Sequence, residues 1–92
     1  MAVLGDDEIE RRLGELEGWE RAGDSLRRAF KLGDFKGSVE FVNRITPAAE
    51  EMNHHPDLEI SWDTVTVSLS THSEGGITDS DFTLAERIDA QA

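Results

Sequence analysis

Residues 57–72, DLEISWDTVTVSLSTH, decide the fold of this chain. Within them, apolar residues alternate with polar ones in two runs, first Leu58, Ile60 and Trp62 and then Val65, Val67 and Leu69. A period of two is typical of half-buried strands, and the pair Asp63-Thr64 between the runs suits a turn. The stretch therefore predicts a β-hairpin whose second strand ends at His72.

A second hairpin is predicted upstream, over residues 17–32. A short strand begins at residues 19–21, residues 22–24 supply a turn, and residues 25–31 form the returning strand. In that strand Leu26, Arg28 and Phe30 share one face.

The first and last segments have helical periodicity. Residues 6–16 place Ile9, Leu13 and Leu16 on one stripe, with Asp6 or Asp7 as the predicted cap. Residues 78 to about 90 form the last predicted helix, with Phe82, Ala85 and Ile88 on one face.

The middle helix begins after Asp34, a good N-cap residue, and carries the strongest apolar stripe of the chain. The stripe consists of Phe35, Val39, Val42, Ile45, Ala49 and Met52. Pro47 predicts a kink, because an interior proline loses one hydrogen bond and its ring clashes with the preceding turn. Pro56 disfavours helix at His55, so the helix is expected to end within residues 53–55.

The resulting order is helix-strand-strand-helix-strand-strand-helix. It predicts one α+β domain over residues 1–92, in which a four-stranded antiparallel sheet has the helices packed on one face.

Composition excludes several functions. The 92 residues include 20 acidic and 9 basic side chains, a net charge of −11 that disfavours nucleic-acid and anionic membrane partners. There is no cysteine for a disulfide or a thiolate metal site. The N-terminus lacks the features of a signal peptide, and a cytoplasmic location is expected.

The chain has three histidines, His54, His55 and His72, and histidine can give or take a proton near neutral pH. The structural alternative for His54 and His55 is that cations are favourable at a helix C-terminus, where Glu50 and Glu51 stand four residues earlier. His72 shares the polar face of its strand by the period of two, which favours a cleft over the core. No metal site is expected, since the i, i+4 histidine pair of a zinc-binding helix is absent.

Asp81 has two interpretations that do not exclude each other. Thr78-Asp79-Ser80-Asp81 resembles a capping box with Asp at the third helical position. Alternatively, the Asp81 carboxylate orients a histidine and decides which ring nitrogen bears the proton.

Taken together, these residues resemble one known family. The spaced set consists of Glu50, His54-His55-Pro56, Trp62, Val65, Val67, Leu69, Thr71-His72, Gly75-Gly76 and Asp81. It is similar to the pterin-4a-carbinolamine dehydratases, also known as the dimerisation cofactor of homeodomain proteins family. The earlier segments at residues 16–19, 26–30, 34–35 and 41–42 are similar as well. Pro47 is the main departure, since related chains usually continue this helix without proline.

The resemblance implies the same element order and an active site at His54, His55 and His72. Glu50 and Asp81 are implied as orienting or binding residues. It also implies dimers whose sheets join edge to edge, sometimes paired into tetramers, and neither cofactor nor metal. Trp62 and Thr71 are expected to contact the pterin.

The implied reaction removes water from a 4a-hydroxytetrahydropterin to give the quinonoid dihydropterin, in tetrahydrobiopterin recycling after an aromatic amino-acid hydroxylase. His54 and His72 are expected to share the acid and base roles, while His55 binds the pterin or supports the shift of charge. Two alternatives stay open. One is a non-catalytic dimerisation, coactivator or assembly protein on the same scaffold, and the other is a dehydratase for another pterin.

Overall fold

Three helices and four strands follow one another in the predicted order in a computed structural model, which describes residues 2–92. The elements are α1 (Asp6–Leu13), β1 (Glu20–Ala22), β2 (Ser25–Lys31), α2 (Phe35–Met52), β3 (Asp57–Ser61), β4 (Thr64–Leu69) and α3 (Asp79–Asp89), with a 3₁₀ turn at His72–Glu74 before α3.

All four strands form one antiparallel sheet in the order β1-β2-β4-β3. The central pair, β2 and β4, is in a register that sets Leu26 opposite Leu69 and Phe30 opposite Val65. These four side chains are buried, whereas alternate residues such as Arg27 on β2 are exposed. The sheet therefore has one apolar face covered by helices, and the predicted α+β class is confirmed.

Helix α2 buries most of the predicted stripe, together with Phe41, which the stripe did not include. Phe41 and Ile45 are buried, and the Phe41 ring lies 4.8 Å from that of Phe30 on the sheet. By contrast, Phe35 is 58% exposed and Val39 36% exposed. Ile45 and Ala49 of the predicted stripe are buried, and Val42 and Met52 pack against the core. The prediction failed only at its first two positions, which the register that brings Phe41 over the sheet turns outward.

The ends of α2 are as predicted. The Asp34 side chain accepts a hydrogen bond of 2.6 Å from the Gly37 amide, and the helix continues through Pro47 to Met52. Asn53 then adopts the left-handed conformation, with φ of 48°, and ends it.

The first helix is shorter than predicted. It stops at Leu13, and its N-cap is Gly5, which offers no side-chain cap, rather than Asp6 or Asp7. Leu16 nevertheless packs against the core from the turn that follows. On the exposed side of α1, a hydrogen bond from Arg11 holds the pKa of the Glu8 carboxyl below its usual range.

Trp19 and Arg28 tie the first hairpin to the last helix. Trp19 Nε1 donates a hydrogen bond of 2.9 Å to Asp89 on α3, and Arg28 donates one of 3.0 Å to the same carboxylate. Gly18 lets them meet, because its φ of 90° and a Cβ only 2.8 Å from the Arg28 Nε would both oppose any side chain there. Within residues 2–92, no helix is both long and apolar enough to cross a bilayer.

Candidate active site

His54 and His55 lie where α2 has just ended. The left-handed Asn53 takes the chain off the helical path, and the His54 amide donates back to the Ala49 carbonyl at 3.0 Å. The two rings therefore face different surroundings. The His54 side chain is only 13% exposed, whereas that of His55 is 56% exposed.

Asp81 holds the His54 ring. Its carboxylate is fully buried, and Oδ1 lies 2.6 Å from His54 Nε2. Its other oxygen, Oδ2, accepts hydrogen bonds of 2.9 Å from the Thr78 amide and from the Thr71 hydroxyl. Asp81 thus completes the capping box of α3, and the same carboxylate contacts the His54 ring.

The His55 ring contacts a different carboxylate. His55 Nε2 lies 2.5 Å from Glu50 Oε2, and both side chains are largely exposed. The pair borders a mainly apolar pocket of about 170 Å³ between α2 and the start of β3. Its lining residues are Ile45, Thr46, Ala49, Glu50, His55, Pro56 and Leu58.

His72 begins the 3₁₀ turn, and the prediction that it ends a strand was wrong. Strand β4 stops at Leu69, because Thr71 pairs with Gly76 in an isolated bridge and its carbonyl accepts from the Glu74 amide. These contacts fold the chain back, so the strand period does not describe the direction of the His72 side chain. That side chain is 76% exposed, and its Nε2 lies 3.7 Å from Asp57 Oδ2.

Two connections join the His72 turn to the end of α2. One runs from His54 through Asp81 to Thr71, the residue directly before His72. The other is the approach of His72 to Asp57, the first residue of β3. The three histidines therefore lie on segments that meet at one end of the sheet, although within residues 2–92 no three His, Asp or Glu side chains are grouped to hold a metal ion.

Sequence reasoning missed Asp57 and Leu58. Asp57 stands two residues after His55, which is a local signal, but its approach to His72 depends on the pairing of Asp57 with Ser68 in β4. Leu58 was read only as a strand residue, yet it lines the pocket beside His55.

The two expected pterin contacts, Trp62 and Thr71, stay predictions, and the structure gives the surroundings of each. Trp62 lies in the turn after β3, with φ of 50° and 67% of its surface exposed. At about 3.3 Å per strand residue it is roughly 17 Å from Asp57, at the far end of the strand from the histidines. The Thr71 hydroxyl is engaged by Asp81 and Thr78.

Known proteins match this chain over nearly its whole length. The sequence profile of the family described as pterin 4 alpha carbinolamine dehydratase matches residues 2–91. A provisionally named pterin-4-alpha-carbinolamine dehydratase of Mycobacteroides abscessus is 56% identical over 91 residues, covering 99% of this chain and 97% of the relative. A protein of Sulfolobus acidocaldarius with the same provisional name is 53% identical over 85 residues, 92% of this chain and 93% of its own.

Solved structures agree with these sequence matches. The crystal structure of a transcriptional coactivator/pterin dehydratase from Brucella melitensis superposes with a TM-score of 0.93 and 33% identity, covering 98% of each chain. A pterin dehydratase-like RuBisCO assembly factor of the alpha-carboxysome superposes with a TM-score of 0.69 at 22% identity, over 84% of this chain and 92% of its own, and shares the fold. By profile, sequence identity and fold, this chain belongs to the pterin-4-alpha-carbinolamine dehydratase family.

Proposed function

We propose that this protein dehydrates a 4a-hydroxytetrahydropterin to the quinonoid dihydropterin, as a step of tetrahydrobiopterin recycling. The observation that carries the proposal is the 2.6 Å contact between His54 Nε2 and the buried Asp81 carboxylate. A ring held in this way on one nitrogen has its other nitrogen, Nδ1, available for proton transfer. His72 follows Thr71 in the same network and supplies a second proton-transferring group.

The reaction needs two such groups. The C4a–O bond breaks with its electron pair on oxygen, and a proton from a general acid turns the departing hydroxide into water. N5 of the pterin loses its proton to a general base, and its electron pair forms the new N5–C4a double bond. No oxidant or reductant takes part, because the electron pair that leaves C4a with oxygen is replaced by the pair from N5, and His54 and His72 share the acid and base roles. Catalysis of this kind typically contributes about 10²–10⁴-fold.

The wall against which the pterin is held consists of His55, Glu50 and Leu58. The Glu50 carboxylate fixes the His55 ring at 2.5 Å, and Leu58 gives the adjoining pocket an apolar side for a flat heterocycle. This arrangement supports the expected binding role of His55, with Glu50 acting through it.

The protein acts as a homodimer, or as a tetramer built from two dimers. Strand β3 is an edge of the sheet, and all five of its residues are exposed, including Leu58 and Ile60. An apolar edge strand with unpaired backbone groups is a natural place for a second copy to add its own β3 antiparallel. The exposed Phe35 and Val39 on α2 offer a second apolar surface for pairing dimers.

The test is a direct assay of purified protein. An aromatic amino-acid hydroxylase generates the 4a-hydroxytetrahydropterin, and its dehydration is followed spectroscopically. His54→Ala and His72→Ala are each expected to lower kcat by at least about tenfold. Ser73→Ala, next to His72 and exposed, is the matched control and is expected to keep full activity. Folded His54→Ala and His72→Ala proteins with wild-type rates would remove the basis of the proposal.

A further inference from the structure

The hydroxyls of Thr71 and Thr78 link two parts of the chain behind the proposed catalytic histidine. Thr71 follows β4 and Thr78 is the N-cap of α3, and their Oγ1 atoms are 2.7 Å apart. Thr78 and Asp81 are fully buried and Thr71 is 9% exposed. The Thr71 backbone is held as well, since its amide donates to the Gly76 carbonyl at 2.9 Å. Neither hydroxyl can therefore exchange its partners for bulk water.

The hydroxyl groups of this cluster can donate their hydrogen bonds in only one direction. Thr78 Oγ1 already accepts from backbone amides of the first turn of α3, including that of Ser80. A carboxylate only accepts, so the single hydroxyl hydrogen of Thr71 goes to Asp81 Oδ2 at 2.9 Å. The 2.7 Å contact between the two hydroxyls must then use the hydrogen of Thr78, which is donated to Thr71 Oγ1.

This chain of hydrogen bonds ends at the His54 ring. Oδ2 of Asp81 receives two donors, and the carboxylate lies in the first turn of α3, where the helix dipole favours negative charge. Oδ1 therefore acts as an acceptor too, and the hydrogen of the 2.6 Å contact belongs to His54 Nε2. The other ring nitrogen, Nδ1, has no hydrogen-bond partner among residues 2–92. Because every fully buried side-chain nitrogen or oxygen of those residues has a partner, Nδ1 must reach solvent.

We propose that Thr71 and Thr78 are positioning residues, whose one-way hydroxyl chain to Asp81 keeps hydrogen on His54 Nε2 and leaves Nδ1 as the atom that exchanges a proton with the substrate. A helix cap alone requires Thr78 and Asp81 but not Thr71, which is outside the helix. A helix cap does not explain the additional donor at Thr71. A fixed tautomer of His54 does explain it. The kinetic part of this inference rests on the proposed dehydratase function, whereas the tautomer does not.

The experiment measures both the tautomer and the rate. In ¹⁵N-histidine-labelled protein at a pH where the rings are neutral, ring nitrogen shifts are expected to place the His54 hydrogen on Nε2. Assignment of His54 uses the His55→Gln and His72→Gln variants. In Thr71→Val the carboxylate loses the donor that fixes the direction of Oδ2, so the Asp81 side chain can turn away from Nε2 and hydrogen on Nδ1 becomes populated. The same variant is expected to lower kcat by about ten- to hundredfold with KM changed less than about threefold, the rate equivalent of one hydrogen bond to a charged group.

Thr71→Ser and Thr78→Ser keep both hydroxyls and are the matched controls, expected to retain the tautomer and kcat within about twofold. A wild-type His54 that carries its hydrogen on Nδ1 overturns the inference, and this measurement stands even if Thr71→Val fails to fold. A folded Thr71→Val with wild-type tautomer and kcat overturns it as well. If the wild-type protein dehydrates no pterin, the proposed function fails while the tautomer measurement still decides the hydroxyl chain.

Discussion

His54 Nε2 lies 2.6 Å from Oδ1 of Asp81, a carboxylate with no exposed surface. The two residues are 27 positions apart, on the exit of α2 and the first turn of α3. Their contact joins the packing of the last helix to the direction of the imidazole. Changes to this carboxylate therefore affect catalysis and helix capping together, and a useful substitution must separate the two effects.

Asp81→Asn separates them. The amide oxygen can still accept from the Thr78 amide and the Thr71 hydroxyl, so the cap is largely kept. The amide nitrogen then faces His54 Nε2 and donates to it, which moves the ring hydrogen to Nδ1. The expected loss in kcat is on the order of 10²–10⁴-fold, as when a histidine is forced into the wrong tautomer.

The matched control for this variant is Asp79→Asn, in the same turn but exposed, which should leave kcat unchanged. Steady-state kinetics on generated substrate and circular dichroism check both variants. An Asp81→Asn protein within tenfold of wild type would show that the carboxylate only caps the helix.

Glu50→Gln is expected to act on binding more than on chemistry. Glu50 and His55 are 67% and 56% exposed, so their ion pair contributes less than about 1 kcal/mol to the free energy of unfolding. If the carboxylate aims His55 at the pterin, the loss appears as a rise in KM of about fivefold, with kcat nearly unchanged. Glu51→Gln is the control, since its carboxylate faces Arg87 on α3. A drop in kcat with KM unchanged would instead give Glu50 a part in the chemical step.

Local patterns predicted the architecture because each pattern is formed by residues close together in the sequence. The bounds of β2 and the caps Asp34 and Thr78 follow from the alternation of side chains and from short capping motifs, and all agree with the structure. What failed depended on contacts that the helical and strand periods do not show. Phe35 faces outward because the helix register is set by the sheet, and His72 leaves the strand because Gly76 pairs with Thr71.

The candidate site likewise has features that the sequence shows and features that it does not show. The residue types at His54, His55 and His72 are visible in the sequence, but their partners are not. The contact of Asp81 with a histidine was one of two interpretations of that residue, whereas the approach of Asp57 to His72 depends on the pairing register of the strands. The pterin contact of Trp62 is expected from the family resemblance, and the spacing of the motif does not show that Trp62 lies at the far end of β3 from Asp57.

Leu58 and Trp62 give a paired test of which side chain contacts the pterin. Leu58→Ala removes the apolar side of the pocket next to His55 and is expected to raise KM by about three- to tenfold. Trp62→Ala, at the far turn, is expected to change kcat/KM by less than about twofold. Both variants are compared at the same oligomeric state, checked by light scattering. The opposite ranking would mean that Trp62 reaches a site from a neighbouring subunit.

Ile60→Lys tests the edge of the sheet. A lysine in the middle of β3 places a charge where the proposed second copy would pair, and charged edge residues block such pairing. The variant is expected to be monomeric at concentrations where the wild-type protein is dimeric, as measured by analytical ultracentrifugation. Ala22→Lys makes the same change of charge on β1, the other edge strand, and should leave the dimer intact. Dissociation by Ala22→Lys and not by Ile60→Lys would move the interface to β1.

Pro47→Ala asks whether the proline in α2 shapes the site. Pro47 has no amide hydrogen for the Asn43 carbonyl, and interior prolines cost a helix about 3 kcal/mol, partly offset by a less flexible unfolded chain. Because Pro47 and Asn43 are exposed and water can serve the free carbonyl, the expected gain in the free energy of unfolding is about 1–2 kcal/mol, measured by urea denaturation.

The rate of Pro47→Ala carries the second half of this prediction. The His54 ring is aimed by Asp81, which belongs to α3, so a change in the bend of α2 should leave kcat within about twofold. Glu50 lies on α2 beyond the proline, and KM is therefore the parameter that would register a change of its aim. A more stable protein whose kcat falls more than about threefold would mean that Pro47, and not the carboxylate on the last helix, sets the direction of the imidazole.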